Sequence, residues 1–115
     1  MQKVKYETPF VFHYREGQSR GGLTIVFDPK ARLFGISKCS SRDNYNKRLG
    51  RLIAMGRIQK GKGQYVKSFI PSVTDEKSVD DIYIEDINRQ ADQIAVQYGN
   101  YTDRKKPKTV SIGWI

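Results

Sequence analysis

The first 40 residues alternate apolar and polar side chains in the way that half-buried β-strands do. The stretches PFVFHYRE and GGLTIVFD each place every second aromatic or aliphatic residue on one face, and RLFGISKC is a third strand candidate. Short turns rich in glycine, proline and aspartate separate the three. Connections this short predict an antiparallel β-meander over residues 1–40.

After residue 40 the apolar period changes to that of a helix. Ser40 and Asp43 have the spacing of a capping box, which predicts a helix over residues 41–60. Gly61 and Gly63 are typical residues for its end. Apolar or small residues then fall on one helical face, which we expect to be core: Tyr45, Leu49, Leu52, Ile53 and Gly56.

A second, acidic amphipathic helix is predicted over residues 78–98. Ser78 and Asp81 offer a second capping box. Its apolar positions recur every three or four residues: Ile84, Ile87, Ala91, Ile94, Ala95 and Tyr98. QYVKSFIP, before this helix, is either a fourth strand or an extended connection, and a basic tail, TDRKKPKTV, follows it.

These elements predict a single domain, residues 1–115, of the α+β class. An N-terminal antiparallel β-meander is followed by two long helices. The first helix is basic and the second is acidic. We therefore expect the two helices to pack side by side on the sheet, or against those of another subunit.

The net charge of the chain indicates that it binds a partner. Lys and Arg number 21 and Asp and Glu 12, so the net charge is 21 − 12 = +9, which favours an anionic partner. The single Cys39 excludes an intrachain disulfide, which suits a reducing cytoplasm. The N-terminus lacks a signal-peptide pattern and no apolar run is long enough for a membrane span, so we expect a soluble, cytoplasmic protein with no membrane partner.

Catalysis is poorly supported by the residue types present. The single His13 alternates with large apolar residues, as a structural histidine would. A nucleophilic Cys39 would need that same histidine as its base. The acidic pairs Asp80–Asp81 and Glu85–Asp86 are interpreted as a solvated helix face. We expect no enzymatic activity, no catalytic residues, no metal site and no cofactor.

The basic helix is the better candidate for function. Lys47, Arg48 and Arg51 lie within about one turn without an acid between them, and an anionic ligand would relieve their repulsion. Two ligand classes fit: long nucleic acid bound by dispersed cations, or a compact phosphorylated ligand held by a few arginines. In GRLIAMGR, the pairs Gly50-Arg51 and Gly56-Arg57 are six residues apart and point in different directions. GKGQY is not a P-loop, although Lys60 or Lys62 could contact a phosphate.

The segment SRDNYNKRLGRLIAMGR, residues 41–57, resembles a family of small bacteriophage proteins, the Thoeris anti-defence sponges. Members are similar in length and order, with an N-terminal antiparallel sheet and two long helices. The resemblance implies a protein that acts in the host cytoplasm and sequesters a cyclic ADP-ribose-type signal without cleaving it. Some members also bind cyclic oligonucleotides. It further implies a homo-oligomer with pockets between subunits.

The resemblance also suggests ligand-binding residues. Arg57, beside Gly56, matches an arginine expected at the ligand, and Arg51 is the second glycine–arginine candidate. The basic tail could add a phosphate contact through Arg104 and Lys105. Tyr83 and Asn88 are the nearest residues in type to the aromatic and the asparagine of the family's pocket, but they lie in no motif that aligns. The alternatives left open are a small basic DNA- or RNA-binding protein and an inhibitor that docks on an acidic protein surface.

Overall fold

One antiparallel sheet forms the centre of the molecule, with strand order β4-β3-β2-β1-β5. The computed structural model describes residues 8–15, 20–44, 46–71, 82–99 and 110–111. The strands are β1 (Phe10–Arg15), β2 (Arg20–Asp28), β3 (Leu33–Asn44), β4 (Val66–Ser68) and the two-residue β5 (Val110–Ser111), and the helices are α1 (Lys47–Lys60) and α2 (Ile84–Gly99). The predicted α+β class and N-terminal meander are confirmed. In the described part of the chain, neither helix is long and apolar enough to cross a membrane.

The start of α1 differs from the prediction. β3 runs on to Asn44, which pairs with Arg20 of β2, so the backbone is still extended where a helix was expected. The capping box of Ser40 and Asp43 is therefore wrong, and α1 begins at Lys47. Its cap is Asn46, whose Oδ1 accepts a hydrogen bond from the Leu49 N–H at 3.0 Å. The end of the helix is as predicted.

α2 is shorter than predicted. Ile82 and Tyr83 are not helical, and α2 begins at Ile84; residues 78–81 lie outside the described part of the chain. Two acidic residues in the first turn, Glu85 and Asp86, suit the positive end of the helix dipole. The predicted apolar seam is confirmed, because Ile87, Ala91, Ile94 and Ala95 are buried and the two end residues pack beside them.

The two helices cover opposite faces of the sheet, so the expected side-by-side packing is wrong. The larger core joins alternate residues of β1, β2 and β3 to α2; its sheet members are Phe10, Phe12, Tyr14, Leu23, Ile25, Phe27, Phe34 and Ile36. The smaller core consists of Val11, Val26, Ala54 and Ile58, the last two from α1. Because the strands carry apolar side chains on both faces, each face needs a cover.

α1 approaches its face of the sheet closely because glycine lies on both sides of the contact. A methyl group at Gly35 of β3 would lie 2.1 Å from the Ala54 carbonyl oxygen of α1. A methyl group at Gly50 of α1 would lie 2.5 Å from Oγ1 of Thr24, a fully buried residue of β2. The helix therefore presents its small residues to the sheet.

This contact overturns the predicted core face of the first helix. Leu49, Leu52 and Ile53 are 53%, 52% and 38% exposed. The buried positions are instead Gly50, Ala54 and Ile58. Bulky side chains cannot lie where helix and sheet backbones nearly touch, so the large apolar residues face outwards. Tyr45 lies outside the described residues.

The acidic pairs of the second helix are not uniformly solvated either. Asp86 is 1% exposed, and its carboxylate accepts a hydrogen bond from Nη1 of Arg89 at 2.9 Å. A buried carboxylate needs such partners, since an unpaired charge is costly away from water. Glu85 is exposed as expected, and Asp80 and Asp81 lie outside the described residues.

We predict opposite stability effects for two glycine-to-alanine variants. Gly35→Ala should lower the free energy of unfolding by about 1–3 kcal/mol, because its methyl group meets the backbone of α1. Gly56→Ala is the matched control: a methyl group there meets nothing within 4 Å, so alanine should raise helix stability by roughly 0.5–1 kcal/mol. Urea denaturation measures both, and a neutral Gly35→Ala would contradict the close contact.

Candidate functional site

The segment from α1 to the end of β4 carries positive charge without any acid. Residues 47–71 contain no Asp or Glu; their basic residues are Lys47, Arg48, Arg51, Arg57, Lys60, Lys62 and Lys67. Within the described part of the chain, none of these seven forms a salt bridge, whereas Arg89 of α2 does. A segment with this excess of unpaired cations is suited to an anionic partner.

Arg57, in the last turn of α1, is held at the edge of the sheet. Its guanidinium carbon lies 4.4 Å from the ring centroid of Tyr65. Its Nη1 donates a hydrogen bond to the Ile36 carbonyl of β3, and the Ile36 N–H donates to the Tyr65 carbonyl at 2.9 Å. One residue of β3 thus anchors both the arginine and the tyrosine, just beyond the last β3–β4 pair, Gly35 with Val66.

A second tyrosine extends this arrangement to the end of α2. The ring centroids of Tyr65 and Tyr98 are 5.7 Å apart with an interplanar angle of 39°, and the Tyr98 hydroxyl donates to the Gln64 carbonyl. Nζ of Lys67 lies 5.8 Å from the Tyr98 ring centroid. We call Arg57, Tyr65, Lys67 and Tyr98 the cation–tyrosine cluster; it joins the ends of α1 and α2 to β4.

The cluster has the chemistry to bind a phosphorylated aromatic ligand. Each tyrosine ring has a cation over it, and all four residues are partly exposed. Arginine has five N–H donors, and in the described chain only one of those of Arg57 is used. Aromatic rings can stack with a base, and the remaining N–H groups can bind phosphate oxygens. Exposed Lys60 and Lys62 lie next to the cluster along the chain.

The ligand-binding residues suggested by the sequence do not all lie at one place in the structure. Arg57 belongs to the cluster, and Gly56 next to it has open space around its Cα. Arg51 is partly buried on α1 and lies outside the cluster. Arg104 and Lys105 lie outside the described residues.

Tyr83 and Asn88 lie near the start of α2, on the other face of the sheet from α1. Asn88 Nδ2 donates to the Ile84 carbonyl at 3.0 Å, a bond within the helix. With a rise of about 1.5 Å per residue, Asn88 lies roughly 15 Å along the helix axis from Tyr98. Within one chain, Tyr83 and Asn88 are therefore not brought to Arg57.

Sequence reasoning missed Tyr65, Lys67 and Tyr98 as site residues. Tyr98 was assigned to the apolar seam of the second helix, which is correct but incomplete, since its ring also contacts Tyr65. Tyr65 and Lys67 were assigned to an extended segment. For Tyr65 and Lys67 the available signal was the absence of acids from residues 47–71, because a tyrosine within an acid-free basic run is a candidate for ligand contact, and this signal does not reach Tyr98.

The residues considered for catalysis lie elsewhere. His13 Nδ1 lies 3.2 Å from Oγ1 of Thr24, on the face covered by α1. Cys39 is partly buried within β3, seven residues before the cap of α1, and so does not lie at a helix N-terminus. Among the described residues, no group of three or more His, Cys, Asp and Glu side chains could hold a metal ion.

Comparison of the chain with protein-family models, with curated proteins and with solved structures found no match.

We predict that Arg57→Lys will destabilise the protein although the charge is kept. The lysine would lose the contact of the guanidinium with the Tyr65 ring and the hydrogen bond to the Ile36 carbonyl, so the free energy of unfolding should fall by about 1 kcal/mol. Arg48→Lys, on the exposed first turn of the same helix, should change it by less than about 0.5 kcal/mol. Equal effects of the two variants in urea denaturation would show that the Arg57 contacts do not stabilise the fold.

Proposed function

We propose that this protein binds and sequesters a cyclic nucleotide immune signal without cleaving it. The ligand is of the cyclic ADP-ribose type or a cyclic oligonucleotide, and the protein acts in the host cytoplasm as a phage anti-defence factor. The observation that carries the proposal is the cation–tyrosine cluster within the acid-free segment 47–71. The ligand class comes from the resemblance of residues 41–57 to the Thoeris anti-defence sponges.

In this proposal different residues of the cluster bind the phosphates and the base of the ligand. Arg57 binds phosphate oxygens, with Lys60 and Lys62 adding charge. The rings of Tyr65 and Tyr98 stack with the base. The protein acts by binding alone, so the ligand is released intact when the protein unfolds.

Preorganisation of Arg57 supports this mechanism. An arginine loses conformational entropy when a ligand immobilises it, which lowers affinity. Here the cation–π contact with Tyr65 and the hydrogen bond to the Ile36 carbonyl already restrain the side chain before any ligand binds. The binding energy of the phosphate is therefore not spent on ordering the arginine.

Subunit contacts are the second part of the proposal, and they come from the resemblance. A homo-oligomer with pockets between subunits would complete the ligand site with residues from another copy. Tyr83 and Asn88, which are distant from Arg57 in one chain, remain candidates for such a contribution. Native mass spectrometry of the purified protein reports the subunit number and any retained ligand together.

Nucleic-acid binding is the second candidate function, favoured by the length of the basic surface. Lys47 and Arg48 are exposed at one end of α1, while Arg57 and Lys60 lie at the other. The 14-residue helix spans about 21 Å, which is more than a compact nucleotide needs. Charges spread in this way could follow a phosphate backbone.

We predict that removing one charge will weaken nucleotide binding only at the cluster. Arg57→Gln should raise the Kd for a cyclic ADP-ribose isomer at least about tenfold, the cost of one charge-assisted hydrogen bond. Arg48→Gln removes the same charge from the same helix and should change the Kd less than about twofold. Isothermal titration calorimetry with each isomer measures both, and circular dichroism checks that each variant is folded.

Recovery of the ligand distinguishes sequestration from cleavage. After binding and heat denaturation, chromatography of the supernatant should return the unchanged cyclic nucleotide. A linear product would refute a sponge, and absence of binding by every isomer and cyclic oligonucleotide tested would refute the proposal as a whole.

We predict that the affinity for the cyclic nucleotide depends only weakly on salt concentration. A ligand with two phosphates should show a slope of log K against log salt no steeper than about −2, whereas DNA neutralised by most of the seven cations should approach about −5 or −6. Tight binding of mixed-sequence DNA with the steep slope, weakened equally by Arg48→Gln and Arg57→Gln, would establish the nucleic-acid function instead.

A further inference from the structure

The outer face of α1 carries an apolar surface that the fold does not use. Leu49, Leu52 and Ile53 are each more than a third exposed and lie at helical spacings of three and four. Two other large apolar residues, Ile70 and Val96, are exposed in the described chain, and they lie on different elements. Three neighbouring exposed aliphatic side chains therefore form a distinct patch. We call Leu49, Leu52, Ile53 and Gly56 the outer stripe.

Gly56 places a notch in this stripe. It lies four residues after Leu52 and three after Ile53, and a methyl group at Gly56 would meet nothing within 4 Å. A glycine between larger apolar residues leaves a recess that a side chain from a second helix can fill. A recess of this kind favours a partner with a defined shape over a fluid lipid surface.

Exposed cations lie at both ends of the stripe. At 100° per residue, Arg48 lies about 40° from Leu52 beside the N-terminal end, and Lys60, four residues after Gly56, continues the stripe at the C-terminal end. Helix stability does not explain the cations at the N-terminal end. The first turn of α1 has no acid and begins with Lys47 and Arg48, although positive charge is unfavourable at the positive end of the helix dipole. An anionic partner would offset that cost.

We propose that the outer stripe docks an acidic amphipathic helix of another protein. The partner's apolar residues pack on Leu49, Leu52 and Ile53, one side chain enters the Gly56 notch, and its flanking carboxylates meet Arg48 and Lys60. This interaction goes beyond the binding of a nucleotide at the cluster. It would place a protein partner on the face of α1 that points away from the sheet.

A second copy of this chain is a poorer occupant. Packing α1 against α1 in either direction would bring the Arg48 and Lys60 side chains of the two copies together, and like charges repel. The exposed face of α2 combines Glu85 and Asp92 with Arg89, and Val96 is its one large exposed apolar residue. It therefore offers little apolar area to match three aliphatic side chains.

The test uses designed peptides and the full-length protein. The probe is a helical peptide about as long as α1, with leucines on one face and glutamates elsewhere; its control has the same composition in scrambled order. Fluorescence anisotropy should show binding of the first peptide and not of the second. Leu52→Ser and Gly56→Leu should each weaken that binding at least about tenfold.

Val96→Ser is the matched control, since it removes a similarly exposed aliphatic residue from α2. It should change peptide affinity less than about twofold. Leucine favours a helix more than glycine does, and circular dichroism checks that Gly56→Leu is folded.

Three results would overturn the proposal. Equal binding of the scrambled peptide would show attraction by charge alone. An oligomer that Leu52→Ser dissociates in analytical ultracentrifugation would assign the stripe to a second copy. Co-sedimentation with phosphatidylglycerol vesicles that Leu52→Ser abolishes, without stripe-dependent peptide binding, would assign it to a lipid surface.

Discussion

The contact between α1 and the sheet determines most of what this molecule presents to its surroundings. Gly35 lies under the Ala54 carbonyl so closely that no side chain fits between them. Gly50 meets Thr24 in the same way. A helix that rests on two such points has little freedom to rotate about its axis, because any rotation would bring a larger side chain against the sheet.

The rotation of α1 then fixes both candidate binding surfaces. It brings Arg57 to the β4 edge, where the Ile36 carbonyl lies within reach and Tyr65 supplies a ring. It also turns Leu49, Leu52 and Ile53 away from the core. The cluster and the outer stripe are therefore two consequences of one packing arrangement, since both follow from the orientation of a single helix.

Local patterns were sufficient to predict most of the fold. The alternation of Phe10, Phe12 and Tyr14 gave the correct inward face of β1, and the spacing of Ile87, Ala91 and Ile94 gave that of α2. α2 has one apolar face, so its burial has one solution, and β1 is buried on both faces, with Val11 in the smaller core. α1 has two faces that could be buried, one of large residues and one of small residues. The choice between them depends on Gly35, which lies in a different element, and a local pattern cannot contain that information.

The same limit explains which parts of the candidate site could be predicted. Arg57 was found because it lies within a dense basic motif of one helix. Tyr65 lies in the turn before β4 and Tyr98 near the end of α2, and the two meet because α2 covers the opposite face of the sheet and ends beside β4.

The larger core with α2 holds most of the buried apolar residues, whereas α1 adds to the smaller one the buried Ala54 and Ile58 and the partly buried Met55. A helix with so small a share of the core can carry charges that oppose its own stability. Neither the helix dipole nor the core accounts for the acid-free sequence of α1.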